Sequence, residues 1–251
     1  MRIRLKDVKE NYVKEKTDSF QDVCRIFHKD FDNIQLHNVV SYATRPMRSS
    51  EINGREHIFI SKEEAQDILE NNDIIAYTKI GDNQYFTTKE CLDGKNLYII
   101  NPDGIRYMKD KIPNRSIYVI YIHCGYMIRK ERARLRSDIK SFDKRNEDEA
   151  MDFDLAEQEG LYDLWIDNEG SEEKDVIDNI SRILFHIKKQ YEQDPDTLFL
   201  FVGRTGAGKD MYCDEVRNII NQTMYSDPEA TRKHDVKYMK NEIIKNKLIK
   251  K

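Results

Sequence analysis

The feature that most constrains the fold is an apolar run that leads into a glycine-rich segment. Thr197–Val202 (TLFLFV) has the length and composition of a buried strand. Gly203–Asp210 follows as GRTGAGKD, which matches the spacing Gly-x-x-x-x-Gly-Lys, and a helical pattern comes next. In this context, backbone N–H groups and the N-terminal end of the helix bind phosphate. The sequence therefore predicts an α/β fold built around a phosphate-binding loop.

The loop supplies candidate ligands for a nucleoside triphosphate. Lys209 is expected to reach the outer phosphates. Asp210 replaces the usual Ser or Thr after the lysine and is expected on the metal side, because Mg²⁺ prefers hard oxygen ligands. The alternative is an ordinary glycine-rich turn between a strand and a helix. The predicted triphosphate-binding residues are Gly203, Thr205, Gly206, Ala207, Gly208, Lys209 and Asp210.

Composition narrows the class of protein. Charged residues make up 35% of the 251 positions and the formal net charge is −4, so the balance gives no support for a nucleic-acid partner. No apolar run approaches membrane-spanning length, and residues 1–7 carry no signal-peptide core. The scattered cysteines indicate reduced thiols and a cytoplasmic protein. They are Cys24, Cys91, Cys124 and Cys213.

A second motif lies far from the loop. A short strand is predicted over Leu36–Ser41, and Arg45 and Arg48 follow it three positions apart. Two guanidinium groups at this spacing can grip one phosphate from two sides, although an exposed basic turn is the alternative. With the nearby EING and FISKEE segments, at 51–54 and 59–64, this region resembles the nucleoside-monophosphate-binding region of guanylate kinases.

The resemblance implies an acceptor site. Ser41, Arg45 and Arg48 would hold the acceptor phosphate, with His57 in the place of a phosphate-binding tyrosine. Tyr85 matches the second tyrosine, whereas Ala76 replaces the glutamate that accepts hydrogen bonds from guanine, so the base preference stays open. The implied monophosphate-binding residues are Ser41, Arg45, Arg48, His57, Tyr85, Thr87 and Asn101.

Two further segments resemble the same family. Residues 129–154 are dense in charge and resemble its lid, whose arginines neutralise the transferring phosphates; a solvated helix is the alternative. The arginines that match this lid are Arg132, Arg136 and Arg145. Together with Lys209 they are the catalytic residues that the resemblance implies. Tyr162–Asn168 resembles a strand whose asparagine lies beside the adenine of ATP, which implies an ATP contact for Asn168.

The order of the segments is rotated. In guanylate kinases the phosphate-loop strand comes first, whereas here it follows an amphipathic helix predicted over Lys174–Tyr191. This order resembles a circular permutation, for which the ends of a domain must lie close together. A homodimer that exchanges its phosphate loops is the alternative.

The sequence divides into three predicted regions. They are an N-terminal helical extension (1–33), a guanylate-kinase-like domain (34–225) and a basic helical tail (226–251). Inside the domain are a monophosphate-binding region (41–93), a lid (129–154) and the phosphate-loop strand and helix (197–224). The implied architecture is a P-loop nucleotide kinase fold with a parallel central sheet, a small acceptor subdomain and a lid.

Two functions remain open at this point. The first is a nucleoside monophosphate kinase that uses ATP and Mg²⁺ to phosphorylate GMP, dGMP or a related nucleotide. The second is an inactive relative that binds a nucleotide or a phosphorylated ligand without turnover. Ala76, Ile99 and the missing hydroxyl after Lys209 favour the second, whereas the intact loop and the arginines favour the first. The expected partners are a nucleoside triphosphate and a nucleoside monophosphate, with no membrane.

Overall fold

The computed structural model describes residues 34–48, 51–135, 139–170 and 173–221. Within these ranges the strands are β1 (Tyr42–Ala43), β2 (Ile58–Phe59), β3 (Ile74–Ile80), β4 (Asn83–Thr88), β5 (Leu97–Ile99), β6 (Ile117–His123), β7 (Leu164–Asp167) and β8 (Leu198–Val202). The helices are α1 (Lys62–Asn71), α2 (Lys89–Leu92), α3 (Pro102–Lys111), α4 (Tyr126–Leu135), α5 (Ile139–Gln158), α6 (Glu173–Gln193) and α7 (Lys209–Asn221). The predicted extension 1–33 and tail 226–251 lie outside the described residues.

A four-stranded parallel sheet forms the centre of the fold. Its strand order is β5-β8-β6-β7, so the last strand of the described residues lies between two earlier ones. Phe199 lies opposite both Leu97 of β5 and Tyr118 of β6. The parallel α/β fold expected from the sequence is thereby confirmed.

Strand β8 is buried on both faces. Phe199 and Phe201 join the core that the sheet forms with α6 and α7. Leu198, Leu200 and Val202 point the other way, into the core shared with α3 and the end of α5. Successive side chains of a strand point to opposite faces, and both faces are covered, so the strand must be apolar throughout.

Helices α6 and α7 cover the first of these two faces. The inward residues of α6 recur every three or four positions, as in an amphipathic helix, and confirm the helix predicted over 174–191. They are Val176, Ile177, Ile180, Ile183, Leu184 and Ile187. No helix in the described ranges combines the length and the hydrophobicity that crossing a membrane requires.

A second four-stranded sheet lies within residues 41–93, the range predicted for the acceptor subdomain. Its order is β2-β1-β4-β3, with β3 and β4 antiparallel, and α3 packs on β3. Helix α1 begins at a capping box: the Ser61 hydroxyl accepts from the Glu64 N–H at 3.1 Å, and the Glu64 carboxylate accepts from the Ser61 N–H at 2.8 Å. Strand β3 begins three residues after this helix ends.

The strand predicted over Leu36–Ser41 is wrong. Asn38 makes one isolated bridge to Leu97, and the strand of this segment begins at Tyr42. The side chain of Asn221, at the end of α7, satisfies Leu36 instead: its Oδ1 accepts from the Leu36 N–H and its Nδ2 donates to the Leu36 carbonyl, both at 2.7 Å. Residue 36 therefore lies beside the end of the last described helix.

We expect Phe201→Ala to lower the free energy of unfolding by about 3–5 kcal/mol, because a fully buried ring in the central strand leaves a cavity. The matched control is Met151→Ala, since Met151 is 77% exposed on α5; its effect should stay within about 0.5 kcal/mol. Urea denaturation followed by circular dichroism measures both values. Equal losses would contradict the central position of β8.

Candidate active site

A cleft of about 1020 Å³ lies between the two sheets, with α5 and the glycine-rich loop on its walls. It collects side chains from the small subdomain, from the loop and from the lid region, which are distant in sequence. Eleven of the predicted site residues line it: Ser41, Arg45, Arg48, His57, Tyr85, Asn101, Arg145, Gly203, Thr205, Lys209 and Asp210.

The loop connects β8 directly to α7 and requires glycine at two positions. Gly206 and Gly208 have φ angles of +85° and +94°, which other residues rarely adopt. A Cβ atom would also lie 3.0 Å from the Arg129 carbonyl at Gly206 and 2.6 Å from Asn168 Nδ2 at Gly208. The loop therefore brings its backbone and the start of α7 to the cleft, where helix N–H groups favour an anion.

Two buried arginines of α4 hold the loop from behind. Arg129 donates to the carbonyl oxygens of Cys124 at 2.9 Å and Thr205 at 3.2 Å. Arg132 donates to the carbonyl oxygens of Gly206 at 3.3 Å and of Ala207 at 3.2 Å. Burial lowers the pKa of Arg129. The structure thus places Arg132 behind the loop, and not over the cleft where the lid prediction puts it.

Asn168 also lies behind the loop. It is 3% exposed, and its Nδ2 donates to the Ala207 carbonyl at 2.8 Å. The Tyr212 hydroxyl donates to its Oδ1 at 3.2 Å and accepts from Asn179 at 3.1 Å. Arg132 and Asn168 therefore both bind the carbonyl side of the loop, whereas the phosphate-binding roles predicted for Gly206, Ala207 and Gly208 stay predictions.

The two predicted phosphate-gripping arginines share one carboxylate. The Arg45 guanidinium donates to both oxygens of Glu51, at 2.7 and 2.5 Å. The backbone N–H of Arg48 donates to the same carboxylate at 2.8 Å. The hydrogen bonds from Arg45, opposed by desolvation, lower the pKa of Glu51 to about 2. Glu51 therefore stays ionised and fixes the Arg45 guanidinium at the wall of the cleft.

His57 lies beside this pair. Its Nδ1 is 2.9 Å from the Ser41 hydroxyl, and its ring packs edge-on against Phe59, with 5.7 Å between centroids. Desolvation and the Arg45 charge lower the pKa of His57 to about 4. The imidazole is therefore neutral at pH 7, with its second nitrogen left to donate or accept a hydrogen bond.

The predicted base-binding residues separate in the structure. Asn101 lines the cleft, and its Oδ1 accepts from the Thr78 hydroxyl at 2.7 Å and from the Gly104 N–H at 3.3 Å. Thr87 is fully buried and shares a 2.6 Å hydrogen bond with the Tyr98 hydroxyl, so no part of it faces the cavity. The structure therefore brings Asn101, but not Thr87, to the cleft.

The lid region lies along the cleft as α4 and α5. Arg145 lines the cavity and donates to the Ser141 hydroxyl at 2.9 Å. Arg136 falls outside the described residues. Helix α5 also touches the loop through Glu149, whose carboxylate accepts from the N–H of Thr205 at 2.8 Å and from its hydroxyl at 2.5 Å. No sequence signal predicted this contact.

The predicted metal-side residue is available to a cation. Asp210 is exposed at the start of α7, and its Oδ2 lies 4.0 Å from Lys209 Nζ. One carboxylate, completed by waters and phosphate oxygens, is a donor set that suits Mg²⁺. The residues present therefore fit a magnesium ion brought in with a nucleotide.

A family model, curated proteins and a solved structure that resemble this chain all bear the description guanylate kinase. The family model described as guanylate kinase matches residues 24–186, which end before β8 and the glycine-rich loop. The guanylate kinase of Clostridioides difficile is 34% identical over 97 residues, covering 36% of this chain and 46% of that protein. The guanylate kinase of Francisella tularensis subsp. holarctica is 28% identical over 163 residues, 62% of this chain and 80% of that protein.

The matches are partial. The chain spans about half the length of the first curated relatives that it matches, from 42% to 61%. Among solved structures, a guanylate kinase from Anaplasma phagocytophilum superposes with a TM-score of 0.43 at 22% identity, over 66% of this chain and 80% of that one.

We expect the free energy of unfolding of His57→Gln to fall less on acidification than that of the wild type. The folded-state pKa lies below the ordinary 6.5, so the unfolded chain binds the proton first as pH falls. The stabilisation is complete above about pH 6.5 and is lost as pH falls toward 4. Between pH 7 and pH 5 the wild type should lose about 1–2 kcal/mol more than the variant in urea denaturation. Parallel losses would contradict the buried neutral imidazole.

Proposed function

This chain belongs to the guanylate kinase family, and we propose that it is an ATP-dependent nucleoside monophosphate kinase acting on GMP, dGMP or a related nucleotide. One observation carries the proposal: a single cleft is lined both by the glycine-rich loop with Lys209 and by Arg45 and Arg48 of the small subdomain. A transferase needs two phosphate-binding sets that face each other, whereas a module that binds one ligand needs only one.

The proposed roles follow from charge and position. Lys209 and the loop N–H groups bind the outer phosphates of ATP, and Asp210 holds Mg²⁺ together with phosphate oxygens. Mg²⁺, when bound, neutralises charge on the transferring phosphate. Arg45, Arg48 and Tyr85 orient the acceptor phosphate, and Arg145 supplies positive charge from the lid. Such a reaction needs alignment and charge neutralisation more than a strong general base.

The position that would recognise the acceptor base differs in this chain from the guanylate kinase pattern. Ala76 lines the cleft on β3, so no carboxylate projects from that position toward a base. Asn101 offers its amide nitrogen, because its Oδ1 is already used twice. The proposed acceptor is therefore a (d)NMP, with guanine as the base that the family uses.

The circular permutation is a second part of the proposal. It is supported by the position of β8 between β5 and β6, and by the Leu36–Asn221 hydrogen bonds that join the beginning of the described domain to its end. Exchange of the loop between two chains is the competing arrangement.

An inactive binding module is the alternative function. It is favoured by apolar residues at Ala76 and Ile99, and by the absence of a hydroxyl side chain at Asp210 and Met211. Turnover separates it from the kinase.

We expect ADP release from ATP, Mg²⁺ and one of the (d)NMPs, measured with a coupled assay across all acceptors. Lys209→Ala should lower kcat/KM at least about 100-fold, because the loop loses the cation that meets developing phosphate charge. Lys62→Ala, exposed on α1 away from the cleft, is the control and should stay within about twofold. Binding of ATP without turnover for any acceptor would favour the inactive module.

We expect a relinked chain to keep its fold and turnover. The variant begins at Asp194 and joins residue 251 to residue 1 through a short Gly/Ser linker, which restores the order strand β8, loop, α7, then β1. Because β8 can insert between the same neighbours, the melting temperature should fall by only a few degrees. Sedimentation equilibrium gives the oligomeric state. A wild-type protein active only as a dimer, with an inactive relinked monomer, would support loop exchange instead.

A further inference from the structure

Helix α5 docks on the glycine-rich loop through several polar contacts. Asn146 accepts from Arg129 at 2.8 Å, and the same Arg129 donates to the Thr205 carbonyl. Arg204 pairs with Asp154. Glu149, between these two contacts along the helix, touches the loop on the cleft side, where it lines the same cavity as Lys209.

The Glu149 carboxylate uses the groups of Thr205 that an anion would use. One oxygen accepts from the backbone N–H and the other from the hydroxyl. A carboxylate presents two negatively charged oxygens on one centre, as a phosphate group does, and backbone N–H groups in such a loop bind either. The Arg129 guanidinium, which donates to the Thr205 carbonyl, lies near this carboxylate.

We propose that Glu149 is an internal competitor for the phosphate loop: its carboxylate occupies the Thr205 donors in the free protein and must leave before nucleotide phosphates take them. This inference rests on the proposed function, in which the loop binds a nucleoside triphosphate. One N–H cannot donate fully to two anions, and a carboxylate and a phosphate at van der Waals distance repel each other.

The competition has a measurable consequence for affinity. When only the state with Glu149 released binds nucleotide, the apparent Kd equals the intrinsic Kd divided by the fraction released. Removing the carboxylate raises that fraction to one. Nucleotide should therefore bind more tightly to variants that lack the Glu149 carboxylate. This gain is expected even though such variants lose the contact with Thr205.

The test measures nucleotide binding by isothermal titration calorimetry on the full chain. ATP is titrated in EDTA, and a non-hydrolysable ATP analogue is titrated with Mg²⁺. We expect Glu149→Gln and Glu149→Ala to tighten binding by about 5- to 20-fold in both buffers. The control is Glu147→Gln, which makes the same charge change at an exposed position two residues away on α5 and should shift Kd by less than about twofold.

Each other outcome overturns the inference in a recognisable way. Equal tightening in the Glu147 control would indicate a general charge effect. Weaker binding at Glu149 only with Mg²⁺ would make Glu149 a metal ligand in the bound state. If the wild type turns over but the Glu149 variants bind nucleotide no more tightly than it does, the proposed kinase function is supported and the competition by Glu149 is contradicted. No binding by wild type or variants would overturn the proposed function and the inference together.

Discussion

The site depends on the contact between buried guanidinium groups and the carbonyl oxygens of the glycine-rich loop. Arg129 and Arg132 are 3% and 6% exposed, and together they bind the carbonyls of Thr205, Gly206 and Ala207. Removing such groups from water costs several kcal/mol each, which their hydrogen bonds to carbonyl dipoles offset. In each peptide group the N–H points in the direction opposite to the C=O. When the arginines bind the loop carbonyls on the α4 side, the N–H groups of the same peptide units therefore point away from α4. The arginines act on the cleft without entering it.

The part of the site that the sequence predicts well is local. Strand β8, the loop and α7 are contiguous, so apolar length, glycine spacing and helical period identify them together. Leu36 was misassigned because an apolar alternation does not reveal that a side chain 185 positions away pairs with its backbone. The contact of Glu149 with Thr205 spans 56 positions, and in sequence Glu149 belongs to an ordinary acidic run on a charged helix. Arg132 shows the same limit: a motif predicts its presence near phosphate but not the side of the loop on which it lies.

Internal carboxylates meet the cationic and N–H groups on both sides of the cleft. Glu51 binds Arg45, and Glu149 binds the loop. The two contacts differ in consequence. The Arg45–Glu51 fork leaves the pair in place as a rigid unit, because its two hydrogen bonds fix the guanidinium plane. The Glu149 contact uses N–H and O–H donors of the loop itself, so it competes with whatever else those donors bind.

The position of β8 has a consequence for how the chain is assembled. Ribosomal synthesis produces β5 and β6 before β8, yet in the finished sheet these strands do not touch and are each paired to β8. The earlier part of the chain therefore emerges with two strand edges exposed and a gap between them, and exposed strand edges are prone to pair with other chains. Strand β8 closes both edges at once. Completion of the sheet is for this reason a late, long-range event, and a nascent chain stalled before residue 198 would be the species most in need of protection from aggregation.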